Sequence, residues 1–90
     1  MKLFTLYTER RPNLARLTGG RFEGFTLVET VGYWRGLRED STKIEIIADA
    51  ERRADVLTLA EEIRFVNAQQ AVFVTEQDVH AELVTAEVKA

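Results

Sequence analysis

The segment Phe25–Trp34 constrains the fold most, because it has large apolar side chains at positions of both parities. Successive side chains of a β-strand point to opposite faces. One face would therefore hold a phenylalanine, a leucine, a valine and a tyrosine, while Val28 and Trp34 would lie on the other. β-Branched and aromatic residues dominate the segment, as is typical of strands. The sequence thus predicts a strand whose two faces both need to be covered.

The rest of the chain predicts an alternation of short strands and helices. The predicted strands are Lys2–Thr8, Phe25–Trp34, Thr42–Ile47 and Ala71–Thr75, and after a turn at 76–78 a short fifth strand is predicted over Val79–Val84. The region 35–41 is polar, contains a glycine and is predicted to connect strands two and three. The predicted order is therefore strand, helix, strand, strand, helix, strand.

The two predicted helices differ in strength. The first begins near Pro12, is interrupted by Gly19 and Gly20, and is expected to be short or broken before a C-cap at Gly24. The second covers Ala50–Val66, with Asp49 as N-cap and Asn67 ending it in the left-handed conformation. One face of each helix is apolar: Leu14, Leu17, Phe22 and Phe25 in the first, and Val56, Leu59, Ala60, Ile63 and Val66 in the second.

This order predicts one α+β domain over residues 1–90, with a ferredoxin-like βαββαβ arrangement. Right-handed crossovers would give a four-stranded antiparallel sheet with both helices on one face. The other sheet face would have no helix to cover it, although strands one, two and four have apolar residues on both sides. Large exposed apolar patches are rare on monomers. We therefore expect the chain to form a homo-oligomer, a dimer or a trimer.

Composition argues against several functional classes. The 90 residues include no cysteine, so disulfides, thiolate nucleophiles and thiolate metal sites are excluded. The net charge of -3 disfavours nucleic acid as a partner, because phosphate contacts supply most of that affinity. No apolar stretch approaches a membrane span or a signal peptide, so we expect no membrane partner and a cytoplasmic location.

No catalytic motif is recognisable, and we predict no catalytic residue, no metal site and no cofactor. His80 is the only histidine, and the carboxylates of the second helix are interpreted as a solvated face. Two alternatives remain open. One is a small dimeric enzyme with a pocket between sheet and helices, in which Glu29, His80 or Tyr7 would supply the polar group. The other is a protein–protein adaptor that uses the acidic second helix.

The arginines give the leading functional prediction. Arg35 and Arg38 flank Gly36 in the connection between strands two and three, directly after Tyr33 and Trp34. Guanidinium groups bind carboxylates and phosphates in bidentate fashion, and aromatic rings offer a flat surface for stacking. We therefore predict a non-catalytic, homo-oligomeric binding module that holds a small anion or nucleotide-like molecule through these four residues.

Two strand segments resemble the PII-like signalling superfamily. The stretch Gly24–Tyr33 looks like that family's second strand, and Thr42–Asp49 is similar to its third strand and the cap of its second helix. The resemblance implies a ferredoxin-like fold and a trimeric assembly. The family's long loop would here be only 35–41, and the region 67–70 has neither the glycine nor the lysine of its nucleotide loop.

Overall fold

A computed structural model describes residues 1–86 of the chain. It contains four strands, two α-helices and a short 3₁₀ turn. In chain order these are β1 (Lys2–Glu9), α1 (Leu14–Gly19), β2 (Thr26–Trp34), β3 (Leu37–Ala48), the 3₁₀ turn (Ala50–Arg52), α2 (Arg53–Val66) and β4 (Phe73–Asp78). The predicted order of strands and helices is confirmed.

The strands form one antiparallel sheet in the order β2-β3-β1-β4. This is the ferredoxin-like arrangement, with β1 and β3 in the centre and β2 and β4 at the edges. Strand β1 pairs Phe4 with Ile46 and Leu6 with Ile44, and all four side chains are buried beneath the helices. Helix α2 adds Leu59 and Ile63 to the same core. Both helices therefore cover one face of the sheet, and we call the opposite side the open face.

In the hairpin of β2 and β3, the third strand is longer than predicted and the turn is shorter. Arg35 and Gly36 alone form the turn, with φ of 51° and 79°, so β3 begins at Leu37 rather than at Thr42. Two-residue hairpins favour positive φ at both central positions, which glycine adopts without cost. The predicted loop is wrong for residues 37–41. Their polar side chains have low strand propensity, but every residue of 37–41 pairs with a residue of β2.

Helix α1 is short, as the glycine pair predicts, but it ends at Gly19 with Gly20 as C-cap, so the predicted C-cap at Gly24 is wrong. Phe22 and Phe25, predicted on its apolar face, reach the core from the chain that follows it. The N-cap prediction at Asp49 is wrong in detail. Its side chain makes no capping hydrogen bond, and a 3₁₀ turn precedes α2. The left-handed residue after α2 is Ala68, with φ of 51°, and not Asn67. The side-chain amides of Asn67 and Asn13 instead bond each other at 2.8 and 3.1 Å.

Strand β4 is displaced along the chain relative to the prediction. It covers Phe73–Asp78, so the residues predicted as a turn at 76–78 are paired with β1. The fifth strand predicted over Val79–Val84 does not form; residues 79–86 have no regular structure. The last six residues, 85–90, are predicted from the sequence to fray; residues 85 and 86 continue the irregular segment, and 87–90 lie outside the described residues.

Thr18 offers a direct test of packing in α1. Its side chain is fully buried, and its hydroxyl has no hydrogen-bond partner within residues 1–86. An unpaired buried hydroxyl costs about 1–3 kcal/mol, and valine has the same shape without it. We therefore expect Thr18→Val to raise the free energy of unfolding by about 1 kcal/mol in urea titration. Thr58→Val is the control, because the exposed Thr58 hydroxyl donates to the Ala54 carbonyl; a destabilised Thr18→Val would contradict the assignment.

Ion pairs hold β4 against the rest of the fold. The Arg53 guanidinium donates two hydrogen bonds of 2.6 Å to the Glu76 carboxylate, and Lys2 Nζ lies 2.6 Å from Asp78 Oδ1. The hydrogen bonds from Arg53, with the positive charges of Arg53 and Lys2, lower the pKa of Glu76 below its ordinary value of 4.5. The pKa of Asp78 is lowered mainly by its hydrogen bond from Lys2.

A carboxyl with a lowered pKa stabilises the folded state above its unfolded pKa, and this contribution is lost as the pH falls through the folded value. We therefore expect Glu76→Gln to lower the melting temperature at pH 7, and we expect this difference to shrink progressively below pH 4.5. The effect is modest because the pair is solvent-exposed. Glu51→Gln is the control, since Glu51 makes no ion pair within residues 1–86. A pH-independent difference would contradict the prediction.

Candidate functional site

The open face has a polar centre between large apolar side chains. The large side chains exposed on it by at least two-fifths are Tyr7, Trp34, Leu37, Ile47 and Phe73. The strand register places them on this side, because their neighbours Phe4, Leu6, Ile44 and Ile46 point toward the helices. The open face therefore exposes large apolar side chains in the single chain, around a centre that includes the polar residues Lys43, Glu45 and Thr75.

A depression of about 670 Å³ lies on this face at the end nearest the β2–β3 turn. Small residues of β2 and β3 form its floor, and four aromatic residues line it: Tyr7, Tyr33, Trp34 and Phe73. The floor includes Thr30, Gly32 and Ser41. A Cβ at Gly32 would stand 3.1 Å from the Ser41 hydroxyl, so the absence of a side chain there keeps the floor low. The depression has the size and mixed lining of a small-molecule site.

One cation without an ion-pair partner lines the depression, and a second lies next to one of its lining residues. Lys43 lines it, and the Arg35 guanidinium lies 5.6 Å from the centre of the Trp34 ring. Neither makes an ion pair within residues 1–86. Of the two lining carboxylates, Glu9 is paired with Arg11 at 3.0 Å, while Glu39 accepts a hydrogen bond from Ser41. Among the lining residues the charge of Lys43 is therefore balanced by that of Glu39, and the neighbouring Arg35 adds one positive charge beside the depression.

The loop after α2 supplies one wall and is held in place by Gln69. The Gln69 side chain is buried, and its Oε1 accepts a hydrogen bond of 3.1 Å from the Glu9 backbone N–H. Its Nε2 donates to the Thr8 hydroxyl at 2.7 Å. These bonds tie the loop to the end of β1, and they position Gln70 and Ala71 beside the depression. Buried polar side chains that are fully bonded fix local geometry in this way.

The other wall belongs to an arm, residues 31–40, which extends beyond the end of β1. Strand β3 pairs with β1 only as far as Ser41, so the arm is a two-stranded ribbon. Arg10 anchors its base: its backbone N–H donates to the Asp40 carbonyl at 3.0 Å, and its guanidinium donates to the Thr30 carbonyl at 3.0 Å. The position of Trp34 therefore depends on this anchor.

The four predicted site residues separate onto two sides of the arm. Trp34 belongs to the open-face row of β2 and carries Arg35 over its ring. Tyr33 and Arg38 are cross-strand partners in the opposite row, and Arg38 is paired with Asp40 at 3.0 Å. Trp34 and Tyr33 both line the depression, and Arg35 adjoins it over the Trp34 ring. Lys43, which the sequence prediction missed, also lines it. The sequence does contain a signal for Lys43. Side chains alternate along a strand, so Lys43 lies on the face opposite to Ile44 and Ile46, which is the face without helices.

Of the three residues considered for catalysis, Tyr7 lines the depression, whereas Glu29 and His80 lie apart from it. Glu29 is 73% exposed at its side chain, and its carboxylate stands 4.0 Å from Arg10, so it is not a carboxyl in a closed cavity. His80 is exposed and 3.5 Å from Glu82, away from the sheet.

Within residues 1–86, no group of three histidines and carboxylates is placed to hold a metal ion. Over the same range, no helix has the length and apolar character needed to cross a membrane.

Comparison with known proteins supports the fold. No protein-family model matches the chain, and no curated protein matches it in sequence. Among solved structures, the chain is similar to a DUF3240 family protein from Shewanella baltica OS155, with a TM-score of 0.73 and 17% sequence identity. The alignment covers 94% of this chain and 96% of that one. The small α+β fold is thereby shared along nearly the whole chain, while the resemblance to PII-like proteins stays a prediction.

Proposed function

We propose that this protein is a non-catalytic, homo-oligomeric module that binds a small anionic molecule in the depression on its open face. One observation carries the proposal: Lys43 lines a depression that has four aromatic residues in its lining, Arg35 lies over one of them, Trp34, and neither cation has an ion-pair partner within residues 1–86. Cations that are not neutralised by the protein attract an anion, and the rings favour a ligand with a flat part.

The oligomeric part of the proposal rests on the open face. Tyr7, Trp34 and Phe73 line the depression, and two further large apolar side chains are exposed on the same sheet surface, Leu37 and Ile47. A monomer normally covers such a surface or makes it polar. A second copy packed there would remove these side chains from water and would turn the depression into an enclosed site at a subunit boundary. We propose a dimer or a trimer.

The PII-like resemblance belongs to the same proposal. The ferredoxin-like fold and an oligomer built on the open face agree with that family. The ligand region differs, because a two-residue turn stands where the family has a long loop. We therefore assign the anion to the depression, with Lys43 and Arg35 as the charged groups and Trp34 as the stacking surface. Arg38 has a secondary role, since Asp40 already neutralises it.

Calorimetry tests the proposal with three probes of different anionic chemistry: ADP, citrate and benzoate. We expect at least one to bind, and we expect Lys43→Gln and Arg35→Ala each to weaken binding about tenfold, the loss of one charge-assisted contact. Arg16→Ala is the matched control, because Arg16 is an exposed arginine on α1 without an ion pair within residues 1–86. No binding at millimolar concentration, or equal affinity in all variants, would contradict the proposal.

A further inference from the structure

We propose that residues 79–84, called the tail from here on, pair as a β-strand with the free edge of β2 in a second copy of the chain. This inference rests on the homo-oligomer in the proposed function. It adds the segment that joins the copies and the edge that receives it. Two independent observations support it, one on the sequence and exposure of the tail and one on the unpaired edge of β2.

The tail has the sequence of a strand but is not part of the sheet within residues 1–86. Val79, Ala81 and Leu83 alternate with His80, Glu82 and Val84. Its last backbone bond to the sheet runs from the Val79 N–H to the Met1 carbonyl at 3.1 Å. Strand β1 starts at Lys2, so the tail continues past the end of the neighbouring strand. Leu83 and Val84 consequently remain 90% and 92% exposed.

The β2 edge lacks the features that usually prevent a strand from pairing with another chain. Edge strands are typically short, or carry lysine, proline or a bulge. Strand β2 has nine residues, contains no lysine or proline, and has Glu29 as its one charged residue. It bonds to β3 on one side only. Its helix-side row is also uncovered, with Leu27, Val31 and Tyr33 exposed.

The β4 edge fits the tail less well. It has six residues, and two of them, Glu76 and Asp78, are acidic. These two carboxylates are already bonded to Arg53 and Lys2, so within residues 1–86 the β4 edge offers no unpaired cation to Glu82 of the tail. The β2 edge leads instead into the arm and the unpaired Arg35. Charge and length therefore both favour β2. Main-chain hydrogen bonds would supply affinity in such strand addition, and the alternating apolar side chains would supply fit.

The absence of cysteine permits a clean cross-linking test. One chain carries Leu83→Cys and a second, longer-tagged chain carries one cysteine on β2, in separate preparations with Glu29→Cys, Val31→Cys or Tyr33→Cys. The two chains are unfolded together, refolded and oxidised. We expect a mixed disulfide with at least one β2 position. Thr58→Cys on the outer surface of α2 is the control, and β2 yields no higher than the Thr58 yield would overturn the inference.

A charge test separates this inference from the proposed function. Leu83→Lys/Val84→Lys places two lysines in the tail, and Thr85→Lys/Ala86→Lys places the same charge just after it. We expect the first variant alone to lower the assembly mass in sedimentation. Unchanged mass in both variants would overturn the tail pairing while leaving the homo-oligomer intact. A monomeric unmodified chain would overturn both, and ligand binding is measured independently by the calorimetry above.

Discussion

Replacing Leu59 with alanine is expected to lower the free energy of unfolding by about 2–5 kcal/mol. Leu59 has no exposed surface, and it lies on the inner face of α2 in the core shared with the central strands. Truncation removes buried methyl groups and leaves a cavity that the rigid sheet cannot fill. In a domain of this size the loss is a large share of the total stability, which is about 5–15 kcal/mol for native proteins.

Leu57→Ala is the matched control for this prediction. Leu57 is in the same helix and has the same side chain, but it is half exposed on the outer surface of α2. We expect its replacement to cost less than about 1 kcal/mol. Urea titration of both variants measures the difference. Equal losses would mean that α2 does not present Leu59 to the sheet, and the described packing would then be wrong.

Replacing Phe73 with aspartate is expected to dissociate the assembly. Phe73 is 64% exposed on the open face in the single chain, where it borders the depression. If a second copy covers this face, a carboxylate at position 73 would be buried without a partner, which is costly. We expect the mass in size-exclusion chromatography with light scattering to fall to the 10.3 kDa of one chain. Anion binding should weaken with it, because the enclosed site would be lost.

Phe65→Asp provides the control for dissociation. Phe65 is 76% exposed, but it lies on α2, on the other side of the sheet. The same change of residue type there should leave the mass of the assembly unchanged. If Phe65→Asp dissociates the protein and Phe73→Asp does not, the copies meet through the outer surface of α2. That result would favour the helix-based contact considered for an adaptor over the open face.

The fold was predictable because its determinants are local in sequence. Alternation identified β1 and β2, the glycine pair ended α1, and the apolar stripe of α2 supplied the core. The limits of β3 and β4 were not predictable, because pairing overrides propensity there. Glu39 and Asp40 are paired by β2, and Glu76 is held in β4 by β1 and Arg53. Such tertiary contacts have no signal in a single sequence.

The site was predictable only in part, for a geometric reason. Trp34 and Arg35 were identified from the composition of the turn, and the structure places them together. The sequence predicts Arg38 in the same site because it predicts a single loop over 35–41. Because β3 begins at Leu37, the alternation of its side chains places Arg38 on the side of the arm opposite to Trp34. Lys43 was missed because its approach to Tyr7 and Phe73 depends on the order of the strands, which brings β1 and β4 beside β3.

Sedimentation equilibrium of the unmodified chain at micromolar concentration tests the central claim most directly. One chain has a mass of 10.3 kDa, so a dimer would give about 2 × 10.3 = 20.6 kDa and a trimer about 3 × 10.3 = 30.9 kDa. We expect one of these two masses, because the apolar open face should be covered by further copies. A mass of 10.3 kDa would mean that this face meets water in a stable monomer, and it would contradict the proposed inter-subunit site.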